Sequence, residues 1–401
     1  MPQNDALSLY QMDRLEPGEL AGPFTVDAAP EAQRFHSSFP QYQPTPLHAL
    51  PALAHAMGVR GVFVKDESAR FGLNAFKVLG GSYCVGKYMA RRLSCELSEL
   101  PYAQLVSAPV RQRLGEITFV TATDGNHGRG VAWAARQVGQ KSVVYMPKGS
   151  SPERLENIRR LGAQAEITPW NYDDTVRFAR RQAQDHGWVL MQDTAWPGYT
   201  QIPAWIMQGY LTLGAEILDQ LGGDRPTHVF LQAGVGSMAA ALAAYFVHVY
   251  GADCPTLVLV ESNQADCLYR TARADDGQLH GVDGDLRTIM AGLACGEPCS
   301  IAWELLRRYV PNYLTIPDYV AARGMRILAA PLGADPRIVS GESGASTLGA
   351  AAELLTDERW QAIRQAIGLG AEAKILVIST EGDTDRAHYR RIVWDGLYPK
   401  P

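Results

Sequence analysis

Apolar and polar residues follow a strand-then-helix rhythm along this chain. Short apolar runs bounded by turn residues fall at Gly61–Val64, Ile117–Val120, Ser142–Met146, Trp188–Met191, Val229–Leu231, Leu257–Val260 and Lys374–Ile378. Each has the length and character of a buried strand. Between them lie stretches with helical spacing: Glu153 to Leu161, Asp173 to His186, Trp205 to Leu221, and an alanine-rich segment from Ala240 to about His248. Strands alternating with helices predict an α/β fold of open, mostly parallel twisted sheets covered by helices. The first forty-odd residues are richer in proline and polar residues and read as an arm wrapping the surface. No internal repeat or low-complexity tract interrupts the pattern.

Length adds that 401 residues exceed one compact core of typical size, so two domains are expected. A hydrophobic content of 46% and a charged content of 20% are ordinary for a globular protein. The net charge of −5 and the lack of a basic cluster interleaved with aromatics argue against a nucleic-acid partner. Met1 to Gln11 has neither a basic nor an apolar leader-like region. The longest apolar run, Met238 to Val247, is too short to span a bilayer. No membrane partner and a cytoplasmic location are therefore expected. Six cysteines in a chain this long do not make a disulfide scaffold. Cys267, Cys295 and Cys299 lack a matching histidine cluster, so no metal site is expected. They read as thiols, with a conditional disulfide among the three as the alternative.

Candidate chemistry concentrates in three segments. In Phe71-Gly72-Leu73-Asn74-Ala75-Phe76-Lys77-Val78-Leu79-Gly80-Gly81-Ser82 a single lysine sits among apolar and glycine residues with no carboxylate nearby in sequence. Desolvation there favours the neutral amine, a nucleophile able to form a Schiff base. The glycines that follow suggest close approach of the backbone to a bound group. The second segment, Thr121-Ala122-Thr123-Asp124-Gly125-Asn126-His127-Gly128-Arg129-Gly130, lies between a strand and a helix. It suits an anion cradle or an ordinary helix cap. The third, Gln232-Ala233-Gly234-Val235-Gly236-Ser237-Met238, lies between a strand and the alanine-rich helix and suits a phosphate. Taken alone, Gly234-x-Gly236-x-x-Ala239 also fits a dinucleotide fingerprint, with Glu261 ending the next strand as a ribose acid. A nicotinamide oxidoreductase is thus a rival, but it leaves Lys77 and the Asn126 loop unexplained.

Together the three segments resemble the fold type II pyridoxal-phosphate enzymes. A narrower set resembles the diaminopropionate ammonia-lyases within them: Asp66-Glu67-Ser68 with Arg70 to Lys77, Thr123 to Gly130, Gln192-Asp193-Thr194-Ala195-Trp196, Ser340 to Ala345, and Ser379-Thr380-Glu381-Gly382-Asp383-Thr384-Asp385. The resemblance runs from about residue 40 to 390. It implies a small domain, placed at 85–200, inserted in a large one of 1–84 plus 201–401 with an arm at about 1–44. It also implies a homodimer, and pyridoxal 5'-phosphate in the cleft between the domains.

The resemblance further implies roles. Lys77 holds the cofactor as a Schiff base and, once released, moves protons at Cα. Asn126 meets the ring hydroxyl oxygen, and Gly234, Val235, Gly236, Ser237 and Met238 hold the phosphate. Ser379 or Thr380 faces the pyridine nitrogen, where a hydroxyl leaves that nitrogen largely neutral and favours β-elimination over transamination. Thr123, Asp124, Gly125, His127 and Asp193 surround the substrate. Asp124 repels a second carboxylate and attracts an ammonium, and 2,3-diaminopropionate carries an extra one on Cβ. Asp124 and Asp193 are the candidate bases for the two faces of Cα, a pairing that the family links to acceptance of D and L substrates, and each also suits an N-cap. His127 reads more readily as a structural histidine, and Glu342 and Asp383 as cleft-shaping residues. The implied reaction is α,β-elimination to pyruvate and two ammonia. A serine or threonine dehydratase is the runner-up, and a non-catalytic cofactor carrier the remaining alternative.

Overall fold

The computed structural model describes residues 5–13, 24, 27–123 and 125–401. The strands are β1 (Ser8–Gln11), β2 (Leu47–Ala49), β3 (Gly61–Asp66), β4 (Thr118–Ala122), β5 (Lys141–Met146), β6 (Gln164–Ile167), β7 (Val189–Leu190), β8 (His228–Gln232), β9 (Thr256–Ser262), β10 (Asn312–Ile316) and β11 (Lys374–Ser379). They form a seven-stranded sheet in the order β1-β10-β9-β8-β11-β3-β2 and a four-stranded sheet in the order β6-β5-β4-β7. The interior pairs are parallel, and only the two outermost strands of the larger sheet, β1 and β2, run antiparallel. The small sheet is parallel throughout. The α/β architecture with parallel, helix-covered sheets is as the hydrophobic pattern predicted.

The central strands are apolar on both faces because both faces are buried. Val229, Leu231, Leu257, Leu259, Leu376 and Ile378 pack on one side, in a core that continues to Phe119 and Val120 of the small sheet. Their alternates, Phe230, Val258, Val260, Ile375 and Val377, pack on the other side with Val320, Leu348 and Ala351. The Ser237–Tyr250 helix is apolar all round because it lies inside the first of these cores.

Four strands lie outside the predicted runs. β1 and β2 are short antiparallel edges, β6 is a mostly exposed edge, and β10 begins at Asn312 just after Pro311. The opening stretch is more than a surface arm: β1 pairs along β10, and the Ala28–Ser37 helix buries Phe35 and His36. The expected Trp205–Leu221 helix is two, Gln201–Gly209 and Leu211–Leu221, meeting at Tyr210. The helix Val78–Leu93 runs unbroken across position 84.

Candidate active site

Lys77 is the residue that opens the Val78–Leu93 helix. The segment before it is tied to the end of β11: Ala75 bridges Glu381, the Phe76 N–H donates to the Thr380 carbonyl at 3.0 Å, and the Gly382 N–H donates to the Asn74 carbonyl at 3.0 Å. Upstream, Arg70 is fully buried between two carboxylates, at 2.7 Å from Glu216 and 2.8 Å from Glu67. Lys65 adds a second buried cation, 2.7 Å from Glu216. This network holds the turn that delivers the chain to Lys77.

The glycines after Lys77 serve helix packing rather than close approach to a ligand. A Cβ on Gly80 would lie 2.7 Å from Ile206 Cγ2, and one on Gly209 would lie 2.5 Å from the Leu79 carbonyl oxygen. A Cβ on Gly81 would lie 3.0 Å from the Gly130 carbonyl carbon, and one on Gly130 would lie 3.0 Å from the Lys77 oxygen. The Lys77 helix therefore sits backbone to backbone against the Gln201–Gly209 helix and the Asn126–Gln137 helix. That contact sets Lys77 relative to Asn126.

The asparagine loop follows β4. Thr123 Oγ1 accepts from the N–H groups of Gly125 at 2.9 Å and Gly128 at 3.1 Å, closing the start of the helix. Gly125 has φ +148°, and a Cβ there would lie 3.2 Å from Arg154 Cδ. Asn126 Nδ2 donates to Glu381 Oε2. His127 Nε2 donates to the Met191 carbonyl at 2.7 Å, and its Nδ1 lies 3.8 Å from Asp193. Asp124 lies outside the described residues.

Asp193 lies just beyond β7. The preceding Gln192 pairs its amide with Ala122, accepting from its N–H at 3.0 Å and donating to its carbonyl at 3.1 Å, which extends the sheet edge. Lys77 Nζ donates to Asp193 Oδ2 at 3.0 Å, and the Tyr172 hydroxyl donates to Oδ1 at 3.3 Å. The carboxylate absent from the neighbourhood of Lys77 in sequence is thus supplied from 116 positions away. Burial pushes the Asp193 carboxyl up, but the charges of His127 and Lys77 and the Lys77 hydrogen bond outweigh it and hold it at about 2.

The glycine loop follows β8. Gly236 has φ +97°, a conformation that favours glycine, and the Ser237–Tyr250 helix starts immediately after it. The first amides of that helix have no carbonyl within the helix to bond. Ser237 Oγ donates to the Asp193 carbonyl at 2.7 Å, joining this loop to the Asp193 segment.

These segments enclose a cavity of about 50 Å³ lined by Lys77, Asn126, Asp193, Gly234 to Met238, Thr380 and Glu381, together with Tyr172, Gln232, Gly292, Cys295 and Ser343. The segments after β3, β4, β7, β8 and β11 all leave the carboxyl ends of parallel strands, where open α/β sheets place ligands. Of the two hydroxyls considered for the ring nitrogen, Thr380 is on the wall, whereas Ser379 donates to Ser340 Oγ at 2.7 Å and is not among the lining residues. Thr123, Gly125 and His127 stand behind the wall. Tyr172, Gln232 and Glu381 carried no role in the sequence reading. Gln232 and Glu381 lay within segments singled out in sequence, and Tyr172 did not. Glu261, the ribose acid of the nicotinamide reading, accepts from the N–H groups of Leu268 at 2.9 Å and Tyr269 at 2.7 Å and so caps a helix. All six cysteines are thiols. A wider space of about 670 Å³ lies beside the cavity and shares Tyr172 with it; Glu342 is on its wall, paired with His388 at 2.6 Å. Asp383 accepts instead from Asn74 Nδ2 at 3.0 Å.

The profile of the pyridoxal-phosphate dependent enzymes matches residues 39–380. The diaminopropionate ammonia-lyase of Salmonella typhimurium is 52% identical over 370 residues, covering 91% of this chain and 92% of that one. The holo diaminopropionate ammonia lyase of Escherichia coli superposes with a TM-score of 0.93 at 47% identity, covering 99% of this chain and 98% of that one. The same Escherichia coli enzyme with an aminoacrylate-PLP azomethine reaction intermediate gives 0.91 at 46% identity, covering 100% of both chains. The chain belongs to the pyridoxal-phosphate-dependent enzymes of fold type II, in their diaminopropionate ammonia-lyase branch. Its cofactor is pyridoxal 5'-phosphate. The residues present fit that group: a lysine on the wall, a glycine loop at a helix N-terminus for the phosphate, and the buried Gln232 Oε1, which has no hydrogen-bond partner among the described residues.

Proposed function

We propose that this chain eliminates the β-amine of 2,3-diaminopropionate, giving pyruvate and two ammonia. The observation that carries the residue assignment is the Lys77–Asp193 pair at 3.0 Å on the wall of the cavity. Pyridoxal phosphate, when bound, supplies the electron sink for a carbanion at Cα. Lys77 holds it covalently, and the amides of Gly234 to Met238 hold its phosphate. Asn126 meets the ring hydroxyl and Thr380 the ring nitrogen. Asp193 takes or returns the Cα proton on one side. Tyr172 orients its carboxylate, and Lys77 lies within one proton transfer of it. Asp124 serves the other side and pairs with the β-ammonium, so both D and L substrates are accepted. The released aminoacrylate tautomerises and takes up water to give pyruvate and the second ammonia.

The two-domain division, with the small domain at 85–200 around the four-stranded sheet, belongs to the same proposal. So do a homodimer and a cytoplasmic location; no helix among the described residues is long and apolar enough to cross a membrane. Pyruvate and ammonia release from D- and L-2,3-diaminopropionate, D- and L-serine and L-threonine tests the chemistry. Turnover of both diaminopropionate isomers, absent in Lys77→Ala, is the expected result. Turnover of serine or threonine alone refutes the assignment of Asp124. Asp124→Ser is expected to move preference toward serine, and unchanged selectivity refutes its charge role.

A further inference from the structure

Glu381 is a carboxylate 1% exposed on the wall of the cofactor cavity, and the reaction above gives it no task. Its seat is fixed from several sides. Its backbone bridges Ala75, two residues before Lys77, and its carbonyl accepts from the Gly341 N–H at 2.9 Å. A Cβ on Gly341 would lie 3.0 Å from its Cγ, so the side chain rests on a glycine surface. Its Oε1 accepts from the Ser343 N–H at 3.1 Å, and its Oε2 accepts from Asn126 Nδ2 at 2.5 Å.

An asparagine amide has a donor end and an acceptor end of nearly the same shape, and nothing in Asn126 itself selects between them. An ionised carboxylate only accepts, and the neighbouring Arg129 guanidinium, whose charge Glu381 favours against its burial, favours the ionised form of Glu381 in return. Glu381 therefore requires the NH2 end of Asn126 on its side of the cavity. One hydrogen of that NH2 binds Glu381, and the other remains to donate.

We propose that Glu381 is a positioning residue that fixes the Asn126 amide donor-inward, so that the ring hydroxyl oxygen of pyridoxal phosphate meets an N–H. This deepens the functional reading and rests on its assignment of Asn126 to that oxygen. A donor there stabilises the anionic oxygen. An amide oxygen in its place requires the ring hydroxyl to keep its proton. The orientation of one side chain thus sets the protonation, and hence the colour, of the bound cofactor.

The test variant is Glu381→Gln. The Ser343 N–H still needs an acceptor, and glutamine supplies it with Oε1. Its NH2 then faces Asn126 and requires the amide to turn round. The absorption spectrum of pyridoxal-phosphate-loaded protein is recorded against pH, with cofactor affinity by titration, for wild type, Glu381→Gln, Asn126→Ala and the double variant. In Glu381→Gln the spectrum shifts toward the protonated ring oxygen and affinity falls about tenfold, the worth of one hydrogen bond to a charged group. The double variant matches Asn126→Ala alone, because Glu381 acts through Asn126. Glu381→Asp, still only an acceptor, keeps the wild-type side of the shift and serves if the glutamine variant does not fold.

A shift in Asn126→Ala with none in Glu381→Gln overturns the inference, as does a glutamine effect that adds to the alanine effect, or an aspartate variant that behaves like glutamine. An unshifted spectrum in Asn126→Ala has a different meaning. It refutes the Asn126 contact with the ring oxygen, and this proposal with it, while the lyase assay stands apart.

Discussion

Replacing Asp193 by asparagine separates charge from shape at the centre of the site. Asparagine keeps the shape and one oxygen, which can still accept from Lys77 Nζ, now 3.0 Å from Oδ2. Its NH2 replaces the oxygen that accepts from the Tyr172 hydroxyl at 3.3 Å, a contact the hydroxyl can reverse by accepting, and the negative charge is lost. The folded environment lowers the Asp193 carboxyl from 3.8 to about 2. At ~1.36 kcal/mol per tenfold, that difference is worth about 2 kcal/mol of folding free energy. The folded value is the depressed one. The stabilisation is therefore complete above 3.8 and is lost as pH falls through about 2. Urea unfolding of the cofactor-free protein checks this. Asp193→Asn should be weaker than wild type by about 2 kcal/mol, and the gap should stay constant from about pH 5 to about pH 8. In the loaded enzyme the same substitution should cost one diaminopropionate enantiomer ~10²-fold or more in kcat, the usual worth of a general base, and spare the other. Equal stability together with undiminished turnover of both enantiomers refutes the reasoning at both levels.

Two further substitutions probe the scaffold around the cavity. Gly236→Ala places a side chain at φ +97° and 3.0 Å from Leu268 Cδ1 and Leu306 Cδ1. The backbone cost of ~1–2 kcal/mol is relieved in the cofactor-free protein by relaxation of the loop and returns when the cradle closes on the phosphate, so pyridoxal phosphate binding should weaken roughly tenfold by titration, and an unchanged Kd refutes the cradle. Arg70→Met leaves Glu67 and Glu216 buried with Lys65 as the remaining paired cation among the described residues. Unfolding free energy should fall by about 3–5 kcal/mol in denaturant titration, and a loss within error of zero contradicts a structural role for the network.

Much of the fold was legible because central parallel strands are apolar on both faces and stand out as runs. The runs at β3, β4, β5, β8, β9 and β11 did so, and the edge strand β7 lay within a run as well, whereas the interior strand β10, fully buried but carrying Asn312 and Thr315, did not stand out. The edges β1, β2 and β6 did not, since an edge strand needs little apolar surface and its identity comes from the neighbour it pairs with. The loops of the site were legible because each lies at the end of such a run. The residues behind and between them were not. Tyr172 is an unremarkable first residue of the Tyr172–His186 helix until the fold brings its hydroxyl to Asp193.

The sequence by itself determined the α/β alternation and the branch of the family and singled out Lys77, because these depend on local pattern and on residue types in order. Tertiary structure alone decided the company those residues keep. Lys77 reads as an isolated lysine in an apolar setting, yet Asp193 faces it because β7 ends beside the helix that Lys77 opens. Gly80 and Gly81 read as room for a ligand, yet that room is taken by Ile206 and Tyr210 at one and by the backbone of Gly130 and Val131 at the other. Ser379 and Thr380 are equal candidates on paper, and the alternation of side chains at the end of β11 turns one to Ser340 and the other to the cavity. Charge pairing, close packing and strand facing act across space, and the order of residues along the chain does not carry those distances.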